Sequence, residues 1–172
     1  DSSRFIYFLS QELNVPVQKI KSLVLGGHGD SMVAMLGATD VEERKIIDLV
    51  KEGKLSQKRL DEIIERTKKG GAEIVKYLGN GSAYFAPAAS GVEMAECYLK
   101  DLKKQLPCAV HLNGEYGAKD IYAGVPVIIG SGGVEKIIEL ELSVKEKENF
   151  KKSIEAVKDL FNAAKKIDTS LN

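Results

Sequence analysis

The residues 26–32 form a glycine-flanked segment, Gly-Gly-His-Gly-Asp-Ser-Met, that we call the histidine turn. It follows an apolar run over 20–25 and carries His28, one of two histidines in the chain. Imidazole is the side chain whose ordinary pKa lies nearest neutrality, so a ring held at an open turn can transfer protons at physiological pH. Taken alone, the same pattern also fits a glycine-rich turn that contains a histidine by chance.

Asp1 and Arg4 are the partners that could give His28 a function. They stand three residues apart in a segment patterned as a helix, so their side chains share a face. A carboxylate hydrogen-bonded to one ring nitrogen fixes the tautomer and favours imidazolium, which predicts a raised pKa for His28. An arginine fork binds a substrate carboxylate through two hydrogen bonds. The three residues together predict a site for a small organic acid, whereas Asp1 and Arg4 alone fit an ordinary surface salt bridge.

Other candidate motifs are weaker. Cys108 and His111 stand three apart on a predicted strand, where they point to opposite faces and cannot share a metal. The glycine-rich run 130–133 resembles a phosphate-binding loop, but a strand follows it and a hairpin turn is the better interpretation. The pattern therefore indicates neither a catalytic triad nor a metal cluster.

The composition argues against several classes of protein. Twenty-five basic residues balance 25 acidic ones, so no net charge attracts nucleic acid or an anionic membrane. No apolar run approaches the ~20 residues that span a bilayer, and no secretory signal opens the chain. Two cysteines do not make a disulfide framework. We therefore expect a reducing, cytoplasmic setting with no nucleic-acid or membrane partner.

Periodicity predicts helices and antiparallel strands in an α+β fold, with the helices packed on a twisted, mainly antiparallel sheet. Gly70–Gly71 interrupts one helix and indicates close packing, a bend or a break between two shorter helices. Ser143 and Glu146 form a predicted capping box. The predicted helices cover 2–13, 57–78 after an N-cap at Ser56, 82–102 and the last segment from 144. The predicted strands cover 20–25, 32–36, 108–112, 125–129 and 134–140, and a solvated loop or helix start covers 37–45. The predicted buried stripe of the last helix consists of Phe150, Ile154, Val157, Leu160, Phe161 and Ala164.

Four sequence runs, over 1–5, 26–32, 81–90 and 125–130, together resemble the malate/lactate dehydrogenase family. The similarity is greatest to bacterial-type malate dehydrogenases and to the apicomplexan lactate dehydrogenases. It covers essentially the whole chain, but only the C-terminal, substrate-binding half of the family's fold, so it implies the C-terminal catalytic domain of that fold. Segment 37–48 departs from the family pattern, because a charged stretch replaces the usual glycine–hydrophobic–proline stretch.

The resemblance implies a role for each matching residue. His28 looks like the catalytic acid/base, Asp1 like its carboxylate partner, and Arg4 like the clamp on the substrate carboxylate. Ser82 and Ala83 match the start of the helix that lines the substrate and nicotinamide pocket.

The implied reaction is NAD-dependent oxidation of a 2-hydroxy acid to a 2-oxo acid, with malate as the expected substrate. L-lactate is the alternative within the family, and an excised domain that serves only oligomer assembly is the alternative from another class. We expect residues 1–172 to form one substrate-binding domain, with NAD held mainly by an N-terminal domain absent from this chain. We also expect a homo-oligomer, a dimer or tetramer. Because the chain begins inside a helical pattern without an initiator methionine, we expect a fragment that is inactive alone.

Overall fold

A computed structural model describes residues 1–171, and within them the chain forms α-helices and antiparallel strands, as the α+β prediction requires. The helices are α1 (Ser2–Leu13), α2 (Ile46–Lys51), α3 (Gln57–Leu78), α4 (Phe85–Leu99) and α5 (Val144–Ile167). Short 3-10 turns precede several strands, including Gly29–Ser31 inside the histidine turn. No helix among these residues is long and apolar enough to cross a membrane.

The strands form two sheets in which every described pairing is antiparallel. The small sheet has the order β1-β4-β5, and the large sheet has the order β3-β2-β7-β6, with β8 also paired to β7. The strands are β1 (Ile20–Lys21), β2 (Val24–Gly26), β3 (Met32–Ala34), β4 (Asp40–Val41), β5 (Arg44–Lys45), β6 (Lys104–Asn113), β7 (Lys119–Gly130) and β8 (Gly133–Ile137). The run 130–133 thus closes the β7–β8 hairpin, as predicted.

Two hydrophobic clusters hold these elements together. One joins Phe150 and Ile154 of α5 to alternate buried residues of β6 and β7. The other lies among α1, α3 and the small sheet, with Phe5 and Leu9 fully buried. Val24 of β2 belongs to the second cluster and Leu25 to the first, so packing of both residues fixes the strand that leads into the histidine turn.

The β2–β3 hairpin carries the histidine turn at its tip. Gly26 pairs with Met32 on β3 and with Gly124 on β7, so three strands meet at this point. A side chain at Gly124 would come within 3.0 Å of the Gly26 carbonyl oxygen, and Gly26 itself has φ +86°. Both positions require glycine for a backbone reason, since one is a close approach and the other a left-handed conformation.

Helix α3 runs unbroken through Gly70–Gly71, so the predicted alternative of two shorter helices is wrong. Ser56 caps the helix as predicted, with its side chain accepting a hydrogen bond from the backbone N–H of Arg59 at 3.1 Å. A Cβ at Gly70 would lie 2.2 Å from Cδ of Arg4. Gly70 therefore permits close packing of Arg4 against α3.

The prediction of a solvated loop or helix start over 37–45 is wrong, because this segment forms the β4–β5 hairpin. Glu42 and Glu43 at its tip have φ values of +49° and +65°, as a two-residue type I′ turn requires. The backbone N–H of Glu42 donates to the carbonyl oxygen of Lys19 at 2.8 Å, which ties the hairpin to the segment before β1. Sequence patterning missed the turn because it lacks the asparagine or glycine that usually marks it.

Two helix predictions also need correction. Helix α4 begins at Phe85 rather than Ser82 and ends at Leu99, before Asp101 and Lys103, whose positive φ values cannot continue a helix. In α5 the buried positions lie between 146 and 154, whereas Leu160 is 74% exposed. Phe161 is 44% exposed, so the second half of the predicted apolar stripe is not buried in this chain.

The two neighbouring glycines of α3 provide a matched test of this packing. A Cβ at Gly71 would meet no heavy atom within 4 Å, so we expect Gly71→Ala to stabilise the protein by about 1 kcal/mol through helix propensity. Gly70→Ala gains the same helix propensity, but its methyl group must displace Arg4. The free energy of unfolding of Gly70→Ala should therefore rise less than that of Gly71→Ala, or fall below that of the parent protein. Denaturant unfolding of both variants measures the difference; an equal gain from both would contradict the packing role of Gly70.

Candidate functional site

The structure brings Asp1, Arg4 and His28 together. Nδ1 of His28 lies 2.9 Å from Oδ2 of Asp1, within hydrogen-bonding distance, although 27 residues separate them. Nη1 of Arg4 lies 3.7 Å from the other carboxylate oxygen of Asp1. One carboxylate therefore faces both a titratable ring and a permanent cation.

Helix α1 positions the two residues opposite the ring. Asp1 occupies the N-cap of α1 and Arg4 its first turn, which places both side chains toward the histidine turn. The Oγ of Ser2 accepts a hydrogen bond from the backbone N–H of Val24 at 3.1 Å. This bond fixes the start of α1 against β2, four residues before His28.

The imidazole is held at one nitrogen and open at the other. The side chain of His28 is 83% exposed, whereas that of Asp1 is only 12% exposed. An ionised carboxylate can only accept, so the hydrogen bond requires a proton on Nδ1. In the neutral ring, Nε2 is then left as a proton acceptor that faces solvent.

The electrostatic surroundings lower the pKa of His28 below its ordinary value. The largest cause is partial loss of hydration, and repulsion from the guanidinium of Arg4 acts in the same direction. The predicted rise of this pKa is therefore wrong.

Arg4 keeps its hydrogen-bonding groups available. Its side chain is 16% exposed, and at 3.7 Å its contact with Asp1 is an ion pair longer than a hydrogen bond. Oδ1 of Asp1 is buried and has no hydrogen-bond partner among the described residues. Arg4 makes no side-chain hydrogen bond within residues 1–171, so its fork has no hydrogen-bond partner among these residues.

A cleft of about 390 Å³ opens beside the Asp1–His28 contact. Its walls come from the start of α1, the end of β2, one face of α4, and the paired strands β6 and β7. Its lining mixes polar and apolar groups, among them Ser3, Ser90, Glu93, Met94 and Tyr122. A cleft of this size beside an oriented proton acceptor suits a small organic ligand, and Arg4 is not among the residues that line it.

Ser82 and Ala83 stand apart from this arrangement. Both lie in the loop before α4, with Ser82 exposed and Ala83 half-buried, and neither borders the cleft. Within residues 1–171 no group of three or more His, Cys, Asp or Glu side chains could hold a metal ion. Cys108 is buried and His111 is exposed on β6.

Sequence patterning missed three residues that support the site. Ser2 holds α1 on β2, Gly70 makes room for Arg4, and Ser153 of α5 accepts a hydrogen bond from the backbone N–H of Gly27. The glycine pair had signalled close packing without naming its partner. No sequence signal pointed to either serine, because both contacts join segments distant in the chain.

Comparison with known proteins agrees with the fold. The family described as lactate/malate dehydrogenase, alpha/beta C-terminal domain, matches residues 1–167. A malate dehydrogenase of Pelagibacter ubique (strain HTCC1062) is 64% identical over 172 residues, which are all of this chain and 54% of that protein. These two matches cover nearly every element described above.

Solved structures give the same result. The malate dehydrogenase of Cryptosporidium parvum superposes with a TM-score of 0.92 at 41% identity, covering 96% of this chain and 52% of that one. The lactate dehydrogenase of Cryptosporidium parvum, solved with lactic acid and nicotinamide adenine dinucleotide, gives 0.89 at 42% identity, covering 92% and 50%. The chain thus spans about half the length of the relatives it matches.

The antiparallel α+β architecture defines the alpha/beta C-terminal domain of a dehydrogenase-type fold. The chain belongs to the lactate/malate dehydrogenase family, as its alpha/beta C-terminal domain.

The cause of the lowered pKa can be tested at Arg4. Arg4→Gln removes a positive neighbour that repels imidazolium, so we expect the pKa of His28 to rise. NMR titration of the His28 ring resonances measures the change, and a pKa that falls in Arg4→Gln would contradict this account.

Proposed function

We propose that this chain is the substrate-binding and catalytic part of an NAD-dependent malate dehydrogenase, which interconverts malate and oxaloacetate. The observation that carries the proposal is the 2.9 Å contact between His28 and Asp1, with the unoccupied fork of Arg4 beside it. The relative at 64% identity over the whole chain is a malate dehydrogenase, which favours malate over other 2-hydroxy acids.

L-lactate is the second candidate substrate. A solved relative that carries lactic acid is 42% identical to this chain, so the substrate domain alone is compatible with either acid. The proposed site contacts the carboxylate and the reacting oxygen, which malate and lactate share. Discrimination between their side chains belongs to parts of the enzyme outside residues 1–172.

Arg4 and His28 divide the work on the substrate. Arg4 binds the carboxylate through its fork, which presents the neighbouring carbon–oxygen bond at one geometry. Nε2 of His28 accepts the hydroxyl proton when the alcohol is oxidised, and imidazolium returns a proton to the oxygen when the ketone is reduced. Asp1 keeps Nδ1 protonated, so that Nε2 is the nitrogen that reacts.

The lowered pKa of His28 sets the protonation state of the ring before substrate binds. In the free chain the ring is neutral at neutral pH and is ready to accept a proton. A substrate carboxylate bound to Arg4 adds a negative charge near the ring and offsets the repulsion from the guanidinium. Substrate binding therefore shifts His28 toward imidazolium, the form that reduction of a keto acid needs.

The described residues do not fit a dinucleotide. A Rossmann site needs parallel strands joined by a helix, with a glycine-rich turn at the helix N-terminus, whereas every described strand pairing here is antiparallel. We therefore assign NAD binding mainly to an N-terminal domain outside this chain. When bound there, NAD supplies the hydride acceptor of the reaction.

The proposal extends to the setting of the enzyme. Cys97 and Cys108 are free and buried, which suits a reducing cytoplasm. Exposed apolar side chains on α4, such as Phe85 at 78% and Leu99 at 79%, favour a homo-oligomer over an isolated domain. The rival function, assembly alone without activity, would leave the Asp1–His28 contact without a role.

We expect the 172-residue chain alone to show no turnover, because it offers a proton acceptor and a carboxylate clamp but no dinucleotide site. The complete enzyme should oxidise NADH with oxaloacetate and, if the malate assignment holds, much more slowly with pyruvate. Absorbance of NADH measures both reactions. Turnover by the isolated chain at ordinary enzyme rates would overturn the division of roles, and a complete enzyme inactive with every 2-oxo acid would overturn the function.

Substitutions in the complete enzyme should separate the two roles. His28→Ala removes the positioned acid–base group and should lower kcat by about 10²–10⁴-fold. Arg4→Lys keeps the charge but loses the fork, so it should mainly raise KM for the 2-oxo acid. Steady-state kinetics over a range of substrate concentrations gives both parameters.

His111→Ala is the matched control for the histidine substitution. His111 packs edge-on against Tyr122 on the surface of β6 and β7, with ring centroids 5.3 Å apart. We expect its kcat to match that of the parent enzyme. An equal loss of kcat in His28→Ala and His111→Ala would remove the special role of His28.

A further inference from the structure

Ser153 is a buried polar residue of α5 that the proposed reaction does not use. It is 2% exposed, and its Oγ accepts a hydrogen bond from the backbone N–H of Gly27 at 2.8 Å. The two residues are 126 positions apart in the chain. Since His28 directly follows Gly27, this bond acts on the peptide unit next to the candidate acid–base residue.

The backbone N–H of Gly27 depends on that acceptor. Strand β2 ends at Gly26, so the sheet no longer provides a partner for the next N–H group. Gly27 is half-buried, so water only partly reaches this N–H and an acceptor from the protein stabilises it. The side chain of Ser153 therefore replaces the missing strand neighbour at the point where the chain leaves the sheet.

Two glycines of the histidine turn allow the backbone to come this close to Ser153. A Cβ at Gly26 would lie 2.2 Å from Oγ and 2.9 Å from Cβ of Ser153. A Cβ at Gly27 would lie 2.2 Å from Oγ of Ser31 and 3.0 Å from a methyl group of Val157 on α5. The backbone thus approaches α5 as closely as two glycines permit.

A second serine acts on the same strand from the opposite helix. Ser2 of α1 accepts from the N–H of Val24, while Ser153 of α5 accepts from the N–H of Gly27. Asp1, the partner of His28, directly precedes Ser2. The segment that carries the ring is therefore fixed at both ends, relative to α1 at Val24 and relative to α5 at Gly27.

We infer that Ser153 is a positioning residue that holds the imidazole of His28 at hydrogen-bonding distance from Asp1 and thereby fixes its tautomer. It acts through the Gly27–His28 peptide and does not touch substrate. The effect of Ser153 on the distance between His28 and Asp1, and on the tautomer of the His28 ring, follows from the geometry of this chain alone. Its effect on turnover rests on the proposed function.

The test compares Ser153→Ala with Ser22→Ala. Ser22 is a matched control because it is also buried, at 7% exposed, and makes a side-chain hydrogen bond of 2.7 Å to Thr39. Both variants lose one buried hydroxyl, but only Ser153→Ala removes the acceptor beside His28. Both are made in the 172-residue chain for spectroscopy and in the complete enzyme for kinetics.

The first readout is the ¹⁵N spectrum of the His28 ring at a pH where the ring is neutral. We expect the parent chain and Ser22→Ala to show the Nδ1-protonated tautomer, and Ser153→Ala to show averaging between the two tautomers. The second readout is steady-state kinetics with oxaloacetate and NADH. Because a misplacement of 1 Å can cost 10²-fold, we expect Ser153→Ala to lose about 10- to 100-fold in kcat with KM nearly unchanged.

The outcomes separate a positioning role from a merely structural one. An unchanged tautomer in Ser153→Ala, or equal changes in Ser153→Ala and Ser22→Ala, would overturn the inference. A tautomer change in the 172-residue chain, together with a complete enzyme that lacks dehydrogenase activity, would support the inference and reject the proposed function. If Ser153→Ala does not fold, Ser153→Cys keeps a side chain of similar size with a weaker acceptor, and the same two readouts apply.

Discussion

The contact between Nδ1 of His28 and the carboxylate of Asp1 is the interaction that the site depends on. It requires the N-cap residue of α1 to meet a residue two positions past the end of β2, although neither segment can place the other alone. The sheet fixes the end of β2 through Gly26, which faces both β3 and β7. Hydrogen bonds from Ser2 and Ser153 then set the distance between this strand and the two helices that flank it.

The site combines a mostly buried ion pair with an exposed titratable ring. The carboxylate of Asp1 and the guanidinium of Arg4 are mostly buried and partly neutralise each other, while the ring of His28 reaches solvent. Partial loss of hydration and repulsion from Arg4 together lower the pKa of the ring. In the proposed function, an anion bound to Arg4 offsets this repulsion, so anion binding and proton transfer are coupled through one guanidinium.

Sequence patterning predicted the features set by local rules. The cap at Ser56, the capping box at Ser143 and the β7–β8 hairpin depend on residues a few positions apart, and all three predictions were confirmed. The proximity of Asp1, Arg4 and His28 was expected from their chemistry and a family resemblance. The lowered pKa of His28 and the Gly27–Ser153 hydrogen bond depend on long-range contacts, which periodicity does not report. The β4–β5 hairpin was missed because its turn residues, Glu42 and Glu43, are not the asparagine or glycine that usually marks such a turn.

Helix α4 explains why Ser82 and Ala83 stand apart from the rest of the site. Its sequence is apolar around most of its circumference, yet within the described residues Cys97 is its only buried position. A helix of this kind is stable only when further surfaces cover it. In the proposed complete enzyme, whatever packs on α4 also fixes the loop before Phe85, so the contribution of Ser82 and Ala83 depends on that partner. The Asp1–His28 pair needs no such partner, because α1, β2 and α5 already hold it.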